Sequence, residues 1–395
     1  MNKKTVRDID VDGKRVLVRV DFNVPIDKET GRILDDTRIR AALPTIAYLR
    51  EHGAKTVLVS HLGRPDGKVV ESMRMAPVAA RLSELTGTAV PRATDVVGAS
   101  ARAVVAAVEP GGVAMLENVR FEPGEERDDP ALAKQLASFA DVYVNDAFGT
   151  AHRAHASTAG VAAYVPAVAG LLMEKEIEYL GRVVSDPERP VAAIIGGAKI
   201  SSKIAVLQHL LSKVDVLLIG GGMASTFLKA QGVEVGSSLV EDDRLATARE
   251  VMEDASRRGV ALGLPVDVVV GDRFSADAAA RTVGASKVTP GWMILDVGPK
   301  TVADYEAKLH GAMTVVWNGP LGVAEWDAFA QGSRTVARFL AGLDATVVIG
   351  GGETVALVQQ LGLAERYAHV STGGGASLEF LEGKELPGVA ALLDR

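Results

Sequence analysis

Short apolar runs that end in glycine or a polar residue recur along the chain. In the first half they read RVLVRVDFN, KTVLVSHLGRP, VAMLENVRF and DVYVNDAFGT, and in the second half PVAAIIGGAK, VDVLLIGGGM, VDVVVGD, MTVVWNGPLG and ATVVIGGGET. Alanine-rich amphipathic segments such as TRIRAALPTIAYLREHG lie between them. Apolar strands that alternate with helices are typical of a parallel sheet covered on both faces. The sequence therefore predicts an α/β fold built from doubly wound, Rossmann-like parallel sheets.

The length of the chain indicates more than one domain, because 395 residues exceed what one ordinary core accommodates. A segment over residues 170–190, GLLMEKEIEYLGRVVSDPERP, has the pattern of one helix followed by an exit that contains proline. We therefore expect an N-terminal domain over 1–169, an interdomain helix over 170–186 and a C-terminal domain over 187–374.

Composition excludes several classes of function. The net charge of −7 argues against general nucleic-acid binding, which requires a basic face. The chain has no cysteine, so disulfides, thiolate zinc sites and cysteine nucleophiles are impossible. The first residues do not form a signal peptide, and no apolar stretch has the length of a membrane span. We expect a cytoplasmic protein without nucleic-acid or membrane partners.

Basic and polar side chains follow the apolar runs of the first half. In open parallel sheets, ligands bind beyond the carboxyl ends of the strands. The residues at these ends are Arg19, Asp21, Asn23, His61, Arg64, Arg120 and Asn145, then His152, Arg153 and His155, and Arg38 joins them from a helix start. Arginine binds carboxylate and phosphate through two parallel hydrogen bonds. Either these arginines are scattered solvated groups or an anion lies among them, and we favour the anion.

The two histidines of AHRAH raise the alternative of a metal site. His152 and His155 have a helical spacing that suits zinc, but a zinc site requires a third ligand, and Arg153 between them opposes a cation. A metal site here is therefore disfavoured.

Glycines follow the apolar runs of the second half, at Gly196-Gly197, Gly220-Gly221-Gly222, Gly319, Gly350-Gly351-Gly352 and Gly373-Gly374-Gly375. Glycine lets backbone approach a ligand and leaves amides free for phosphate. The other candidates are Lys199, Lys203, Asn318, Gly322, Glu325, Glu353 and Thr354. The lysines suit a phosphate chain or are surface groups, Glu325 suits a ribose or a helix N-terminus, and Glu353 suits magnesium. No Walker A sequence occurs.

Nine segments together resemble the phosphoglycerate kinase family, and they occur in the family's order. They are RVDFNVP (19–25), SHLGRP (60–65), LENVRF (116–121), NDAFGTAHRAHAS (145–157), GGAKISSK (196–203), IGGGMASTFLK (219–229), WNGPLGVAE (317–325), GGGET (350–354) and STGGGASLEFLEGKELPG (371–388). The resemblance implies two similar-sized domains that close about a hinge, with residues 375–395 returning to the first domain. It also implies a monomer.

The resemblance assigns the candidate residues to two substrates. The N-terminal domain is expected to bind 3-phosphoglycerate or 1,3-bisphosphoglycerate through Asp21, Asn23, Arg38, His61, Arg64, Arg120 and Arg153. The C-terminal domain is expected to bind ADP or ATP with Mg²⁺ through Lys199, Lys203, Gly221, Asn318, Gly322, Glu325, Gly350, Gly351, Gly352, Glu353 and Thr354. The expected catalytic groups are Arg38, Lys199 and the amides at Gly351 and Gly374. The family more often has aspartate where this chain has Glu353, so its contact with magnesium is direct, water-mediated or repositioned.

The resemblance implies reversible phosphoryl transfer in glycolysis, between 1,3-bisphosphoglycerate and ADP. Two other functions are alternatives to this one. A nicotinamide dehydrogenase shares the sheet class, but a G-x-G-x-x-G turn with an acidic residue about 20 positions later is not found. A binding protein that closes on an anion without catalysis is also compatible with the two domains, and an assay with ATP and 3-phosphoglycerate separates it from a kinase.

Overall fold

The computed structural model describes residues 2–395, which divide into two compact units. Unit 1 contains the chain up to Glu178 together with Glu385–Arg395, and unit 2 contains Tyr179–Lys384. Both units are built around parallel β-sheets, which confirms the predicted α/β fold class. The division falls inside the helix that the sequence places between the domains, and the chain re-enters unit 1 later than residue 375.

Unit 1 has a five-stranded sheet in which all neighbouring strands are parallel. Its strands are β1 (Arg15–Arg19), β2 (Lys55–Val59), β3 (Val113–Met115), β4 (Val142–Asn145) and β5 (Ala167–Ala169). They are arranged in the order β3-β2-β1-β4-β5. Four of the five residues of β1 and of β2 are buried, as expected for strands that are covered on both faces.

The helices of unit 1 are α1 (Thr37–Glu51), α2 (Ala76–Thr86), α3 (Ala99–Ala106) and α4 (Pro130–Ala137), with α5 (Leu171–Ser185) at the division between the units. Helix α1 buries Ile39, Ile46 and Leu49, as its apolar spacing predicts. Ala47 is exposed although it is apolar, whereas the polar Thr45 is buried. The reason is that Thr45 has a partner, since its hydroxyl accepts a hydrogen bond of 2.9 Å from the amide of Leu171.

Unit 2 has a six-stranded parallel sheet in the order β14-β13-β12-β6-β7-β8. The strands of unit 2 are β6 (Val191–Ile195), β7 (Val216–Ile219), β8 (Ala261–Gly263), β9 (Asp267–Gly271), β10 (Ala280–Gly284), β11 (Met293–Val297), β12 (Thr314–Asn318), β13 (Thr346–Gly350) and β14 (His369–Val370). Its helices are α6 (Ile204–Leu210), α7 (Met223–Ala230), α8 (Leu245–Arg258), α9 (Pro299–Leu309), α10 (Gln331–Leu340), α11 (Gly352–Gln360) and α12 (Gly375–Leu381).

The run VDVVVGD does not join the parallel sheet, contrary to the sequence prediction. It forms β9, which pairs antiparallel with β10 and β11 in a separate three-stranded sheet. Antiparallel strands need only short connections, whereas parallel neighbours need a crossover of a dozen or more residues. The segment between β9 and β10 is too short for such a crossover.

The last residues of the chain complete unit 1. Helix α13 (Pro387–Ala390) precedes a final stretch that pairs with the backbone of the first unit. The amide of Gly388 donates to the carbonyl of Ala151 at 2.8 Å, and the amide of Leu393 donates to the carbonyl of Ala167 at 2.9 Å. The C-terminal segment therefore contacts both the loop after β4 and the strand β5.

Among residues 2–395, no helix combines the length and the apolar character that crossing a lipid bilayer requires.

Candidate active site

The carboxyl ends of β1, β2 and β3 lie at one edge of the unit 1 sheet, because these strands are parallel and adjacent. Asp21 follows β1, and its Oδ2 lies 2.6 Å from NH1 of Arg38 at the start of α1. The amide of Asn23 donates to Asp21 Oδ1 at 3.3 Å, and Asn23 Oδ1 accepts from the amide of Gly63 at 2.9 Å. The loops after β1 and β2 are thus tied together by side chains that the sequence singled out.

Arg19, the last residue of β1, is fully buried and lies at the centre of a polar network. Its Nε donates to Ser157 Oγ at 2.9 Å, and its NH2 donates to His61 Nδ1 at 3.1 Å. Ser157 Oγ in turn donates to Glu125 Oε1 at 2.5 Å, and the Ser157 amide donates to Glu125 Oε2 at 2.9 Å. Burial raises the pKa of Glu125, although the charge of Arg19 opposes the shift. A buried carboxyl thus faces the buried guanidinium across one hydroxyl.

His61 is neutral in this environment. Burial and then the charges of Arg19, Arg120, Arg38 and Arg153 lower its pKa well below the ordinary value for histidine. Since Arg19 donates to Nδ1, the ring carries its proton on Nε2. The Nδ1 atom lies 3.9 Å from Asp21 Oδ1, which is beyond hydrogen-bonding distance. His61 can therefore donate one hydrogen bond to a ligand without adding a further positive charge.

Three of the predicted arginines, Arg38, Arg120 and Arg153, lie within electrostatic range of His61, because the charge of each lowers the pKa of its imidazole. Arg120 is 4% exposed, and its NH1 donates to the carbonyl of Gly63 at 2.8 Å. Its NH2 is buried and has no hydrogen-bond partner among residues 2–395. The guanidinium has an ion-pair partner, since its Nε lies 3.2 Å from Glu126 Oε1, but a buried N–H donor without an acceptor is costly and points to a missing acceptor. Arg64 is exposed, and it is not one of the four arginines whose charges lower the pKa of His61.

The two histidines of the AHRAH segment do not form a metal centre with neighbouring acidic or histidine side chains in the described part of the chain. His152 Nε2 accepts from Arg153 Nε at 3.2 Å. Burial, followed by the charges of Arg120, Arg19 and Arg153, lowers the pKa of His155 to about 4. The segment therefore contributes one arginine, Arg153, and two neutral or hydrogen-bonded imidazoles to a basic cluster. The other members of this basic cluster are Arg38, His61 and Arg120.

The glycines after β6, β7 and β12 in unit 2 pack against one another's backbone. A Cβ on Gly196 would meet the carbonyl oxygens of Pro320 and Gly319, the latter at 2.5 Å. A Cβ on Gly221 would lie 2.5 Å from the carbonyl oxygen of Gly197, and Gly221 also has a φ of +69°. At these positions protein backbone occupies the space beside the glycine, where the sequence predicts a ligand. Gly322 is similar, because its Cβ would meet Asp296 and the carbonyl of Phe329.

Substitution of Gly196 by alanine is expected to destabilise unit 2. The clash is with backbone atoms that cannot rotate away, so the free energy of unfolding should fall by about 3 kcal/mol, the upper end of the range for overpacking. Urea unfolding measures this change. The control is Gly342→Ala, whose Cβ would have only the carbonyl of Phe339 nearby, at 3.6 Å. Equal stability of the two variants would contradict the backbone packing described above.

A second group of predicted residues meets at the carboxyl ends of β12 and β13. Lys203 Nζ donates to Asn318 Oδ1 at 2.6 Å, and the amide of Gly319 donates to Thr354 Oγ1 at 2.9 Å. Burial lowers the pKa of Lys203, while the charges of Glu353 and Glu382 oppose the shift. Glu353 therefore lies close enough to influence Lys203, although its own side chain is exposed. These residues surround the start of α11.

Backbone near the starts of α11 and α12 is open, in contrast to the packed glycines. Gly351 has a φ of +84°, Gly374 has a φ of +51°, and a Cβ on Gly352 or Gly374 would meet nothing within 4 Å. Gly350 is more confined, with Asn318 Nδ2 3.1 Å from its Cβ position. The first N–H groups of a helix have no partner within the helix, so they are free to bind an anion. Lys199 and Glu325 are exposed on their loops.

Sequence reasoning assigned no role to three buried residues that build the unit 1 site. They are Asn118, Glu125 and Ser157. Asn118 and Ser157 lie inside two of the recognised segments, so position along the chain could have indicated them. Glu125 gives no such signal, because an exposed surface is the usual place for a glutamate in the sequence GEERDD.

Comparisons with known proteins identify one and the same family along nearly the whole chain. A family model described as phosphoglycerate kinase matches residues 6–384. The chain is 58% identical over 395 residues to a phosphoglycerate kinase from Moorella thermoacetica and 60% identical over 401 residues to one from Synechococcus elongatus, with all of both chains covered in each case. A phosphoglycerate kinase structure from Coxiella burnetii matches with a TM-score of 0.90 and 45% identity, covering 98% of both chains. These matches confirm the resemblance carried by the nine segments, and the chain belongs to the phosphoglycerate kinase family.

Proposed function

We propose that unit 1 binds 3-phosphoglycerate or 1,3-bisphosphoglycerate and that unit 2 binds ADP or ATP with magnesium. The family to which the chain belongs catalyses reversible phosphoryl transfer in glycolysis, from 1,3-bisphosphoglycerate to ADP, which gives 3-phosphoglycerate and ATP. The protein is therefore a phosphotransferase. The proposal concerns which residues of this chain hold each substrate.

The basic cluster of unit 1 carries the proposal for the acid substrate. The charges of Arg38, Arg120 and Arg153 all lower the pKa of His61. The buried NH2 of Arg120 lacks an acceptor among the described residues. A phosphate or carboxylate supplies several acceptor oxygens and offsets the mutual repulsion of the guanidinium groups. Asp21, Asn23 and the neutral imidazole of His61 add directional hydrogen bonds, and Arg64 reaches the ligand from the exposed rim.

The proposed nucleotide site lies at the starts of α6 and α11. Lys203 and Lys199 supply positive charge, and the amides of Gly351 and Gly352, next to the more confined Gly350, supply donors for phosphate oxygens. Asn318 and Thr354 order the loop after β12, and Glu325 on the same loop accepts from ribose hydroxyls. Gly221 and Gly322 contribute by close backbone packing, which keeps the surface beneath the nucleotide flat.

The donor set in unit 2 fits a magnesium ion that arrives with the nucleotide. No group of three histidine or acidic residues able to hold a metal occurs among residues 2–395. Mg²⁺ is usually held by one or two carboxylates together with substrate phosphates, so one exposed carboxylate beside open amides is sufficient. Glu353, in the first turn of α11, is the residue that would hold it. Magnesium bound there neutralises charge on the phosphate oxygens.

Catalysis by this arrangement consists of alignment and charge neutralisation. The leaving group of an acyl phosphate is a carboxylate, so no strong general base is required. Arg38 and Lys199 stabilise the charge on the transferring phosphoryl group, and the amides near Gly351 and Gly374 assist them. Following the family resemblance, we propose that the two units close about a hinge to bring the substrates together. We also propose that the protein is a monomer and acts in the cytoplasm.

Replacement of Arg120 by alanine tests the acid-substrate site. We expect the KM for 3-phosphoglycerate to rise by about 10- to 100-fold, the usual effect of losing a hydrogen bond to a charged group. The KM for ATP should not change, because Arg120 belongs to unit 1. A coupled assay with both substrates measures the two constants. The control is Arg102→Ala, which removes an exposed arginine bound to the carbonyl of Val97. An unchanged KM for 3-phosphoglycerate in Arg120→Ala would overturn the assignment.

A further inference from the structure

Asn118 is the most completely bonded side chain near the basic cluster. It follows β3, is fully buried and precedes a short 3₁₀ turn over Val119–Phe121. Its Oδ1 accepts from the amides of Leu62 at 3.2 Å and Arg120 at 3.1 Å. Its Nδ2 donates to the carbonyls of Leu62 and Met73, each at 2.8 Å. An amide side chain has two donors and two acceptor positions, so all four are used.

These bonds fix the segment after β2, which carries the proposed substrate-binding residues His61 and Arg64. Asn118 pairs with both backbone groups of Leu62, which stands between His61 and Gly63. The next residue, Gly63, is held at its amide by Asn23 and at its carbonyl by the Arg120 guanidinium. One buried amide therefore sets the position of the His61–Arg64 segment and, through the Arg120 amide, the start of the Arg120 side chain.

Asn118 is itself firmly anchored. Its backbone amide donates to Glu117 Oε1 at 2.8 Å, and Glu117 is buried. Glu117 Oε2 pairs with Arg92 NH1 at 2.5 Å and with Arg74 NH1 at 3.2 Å. This buried ion pair network holds the residue in one geometry, so that its side chain can transmit that geometry to the neighbouring loops.

We propose that Asn118 is a positioning residue for 3-phosphoglycerate, which it does not touch. It acts by holding Arg120 and the His61–Arg64 segment in the arrangement that binds the acid substrate. The inference rests on the proposed function of the basic cluster. Neither aspartate nor serine reproduces the pattern, because aspartate cannot donate to the two carbonyls and serine is too short to reach all four partners. Small displacements of binding groups have large effects on substrate binding.

The experiment compares Asn118→Ser and Asn118→Asp in the full chain with Val78→Ala, which removes two methyl groups from a buried position on α2. We expect KM for 3-phosphoglycerate to rise by about tenfold in the Asn118 variants, with KM for ATP unchanged and kcat within about twofold. Val78→Ala should lower the melting temperature without changing either KM. Should Asn118→Asp not fold, Asn118→Ser carries the test.

A double-mutant cycle shows whether Asn118 acts through Arg120. In an Arg120→Ala background, Asn118→Ser should raise KM by less than it does alone, because the two residues share the same interaction. An unchanged KM in Asn118→Ser, with Arg120→Ala still raising it, would overturn the positioning role and leave the site assignment intact. If Arg120→Ala also leaves KM unchanged, the proposed site itself is wrong. Additive effects of the two substitutions would also refute action through Arg120.

Discussion

Replacement of Arg38 by alanine is expected to lower kcat by about 10³-fold, as loss of an arginine that stabilises a transferring phosphoryl group does in related chemistry. Arg38 is the second residue of α1, and Asp21 holds its NH1 at 2.6 Å. The guanidinium is 37% exposed, so it is oriented by Asp21 and still accessible to a substrate. The affinity for ATP should change little, because the proposed nucleotide residues all lie in unit 2.

Two measurements separate these effects for Arg38. Turnover at saturating concentrations of both substrates reports on the transition state, and calorimetric titration with ATP reports on nucleotide binding. The matched variant Arg38→Lys keeps the charge but loses the planar pair of donors, so it should recover only part of the rate. A collapse of ATP affinity with normal turnover at saturation would show that the assignment is wrong.

Replacement of Lys199 by alanine is expected to cost about 10²- to 10³-fold in rate, which is typical of removing one preorganised electrostatic group. Lys199 precedes the 3₁₀ turn Ile200–Ser202, and its carbonyl accepts from Ser202 Oγ at 2.8 Å. The side chain is exposed on the loop that follows β6. Its backbone is thus held in place, and its exposed ammonium group is accessible to the phosphoryl group that we propose it stabilises.

The control for Lys199 is Lys287→Ala, which removes another exposed lysine of unit 2 from the region of the small antiparallel sheet. That variant should retain wild-type turnover. Lys199→Met, which keeps the aliphatic stem, should be as slow as Lys199→Ala if charge is what matters. Near-wild-type activity in both Lys199 variants would remove this residue from the mechanism.

The central strands of both parallel sheets could be predicted from sequence, because each is an apolar run that is long enough to be recognised as a strand. Strands β5, β8 and β14 have only two or three residues, which is too short for a periodic signal. Strand β10 reads ARTVG and is largely exposed, so it lacks the apolar pattern as well. Its partner β9 was consequently assigned to the wrong sheet. Edge position and pairing partner depend on tertiary contacts that a local pattern does not contain.

The charged groups of the site were easier to predict than the residues that hold them. The sequence singles out Arg38, Arg120 and Arg153 because an excess of guanidinium groups at strand and helix ends is chemically unusual. The hydrogen bonds of Asn118 and the burial of Glu125 depend on which loops meet in space. The glycines could not be interpreted in the same way, because a GGG sequence does not reveal whether a ligand or another turn occupies the adjacent space. In the structure, backbone packs against Gly221, whereas the space beside Gly352 is open.

The docking of Glu385–Arg395 onto unit 1 has a consequence for biosynthesis. Ribosomes deliver the chain from its amino end, so residues 2–178 emerge long before the segment that pairs with Ala151 and Ala167. The nascent first unit therefore waits, with those two carbonyls still hydrated, until all of the second unit has been synthesised. Completion of the first unit thus follows synthesis of the second, which has all its own strands beforehand.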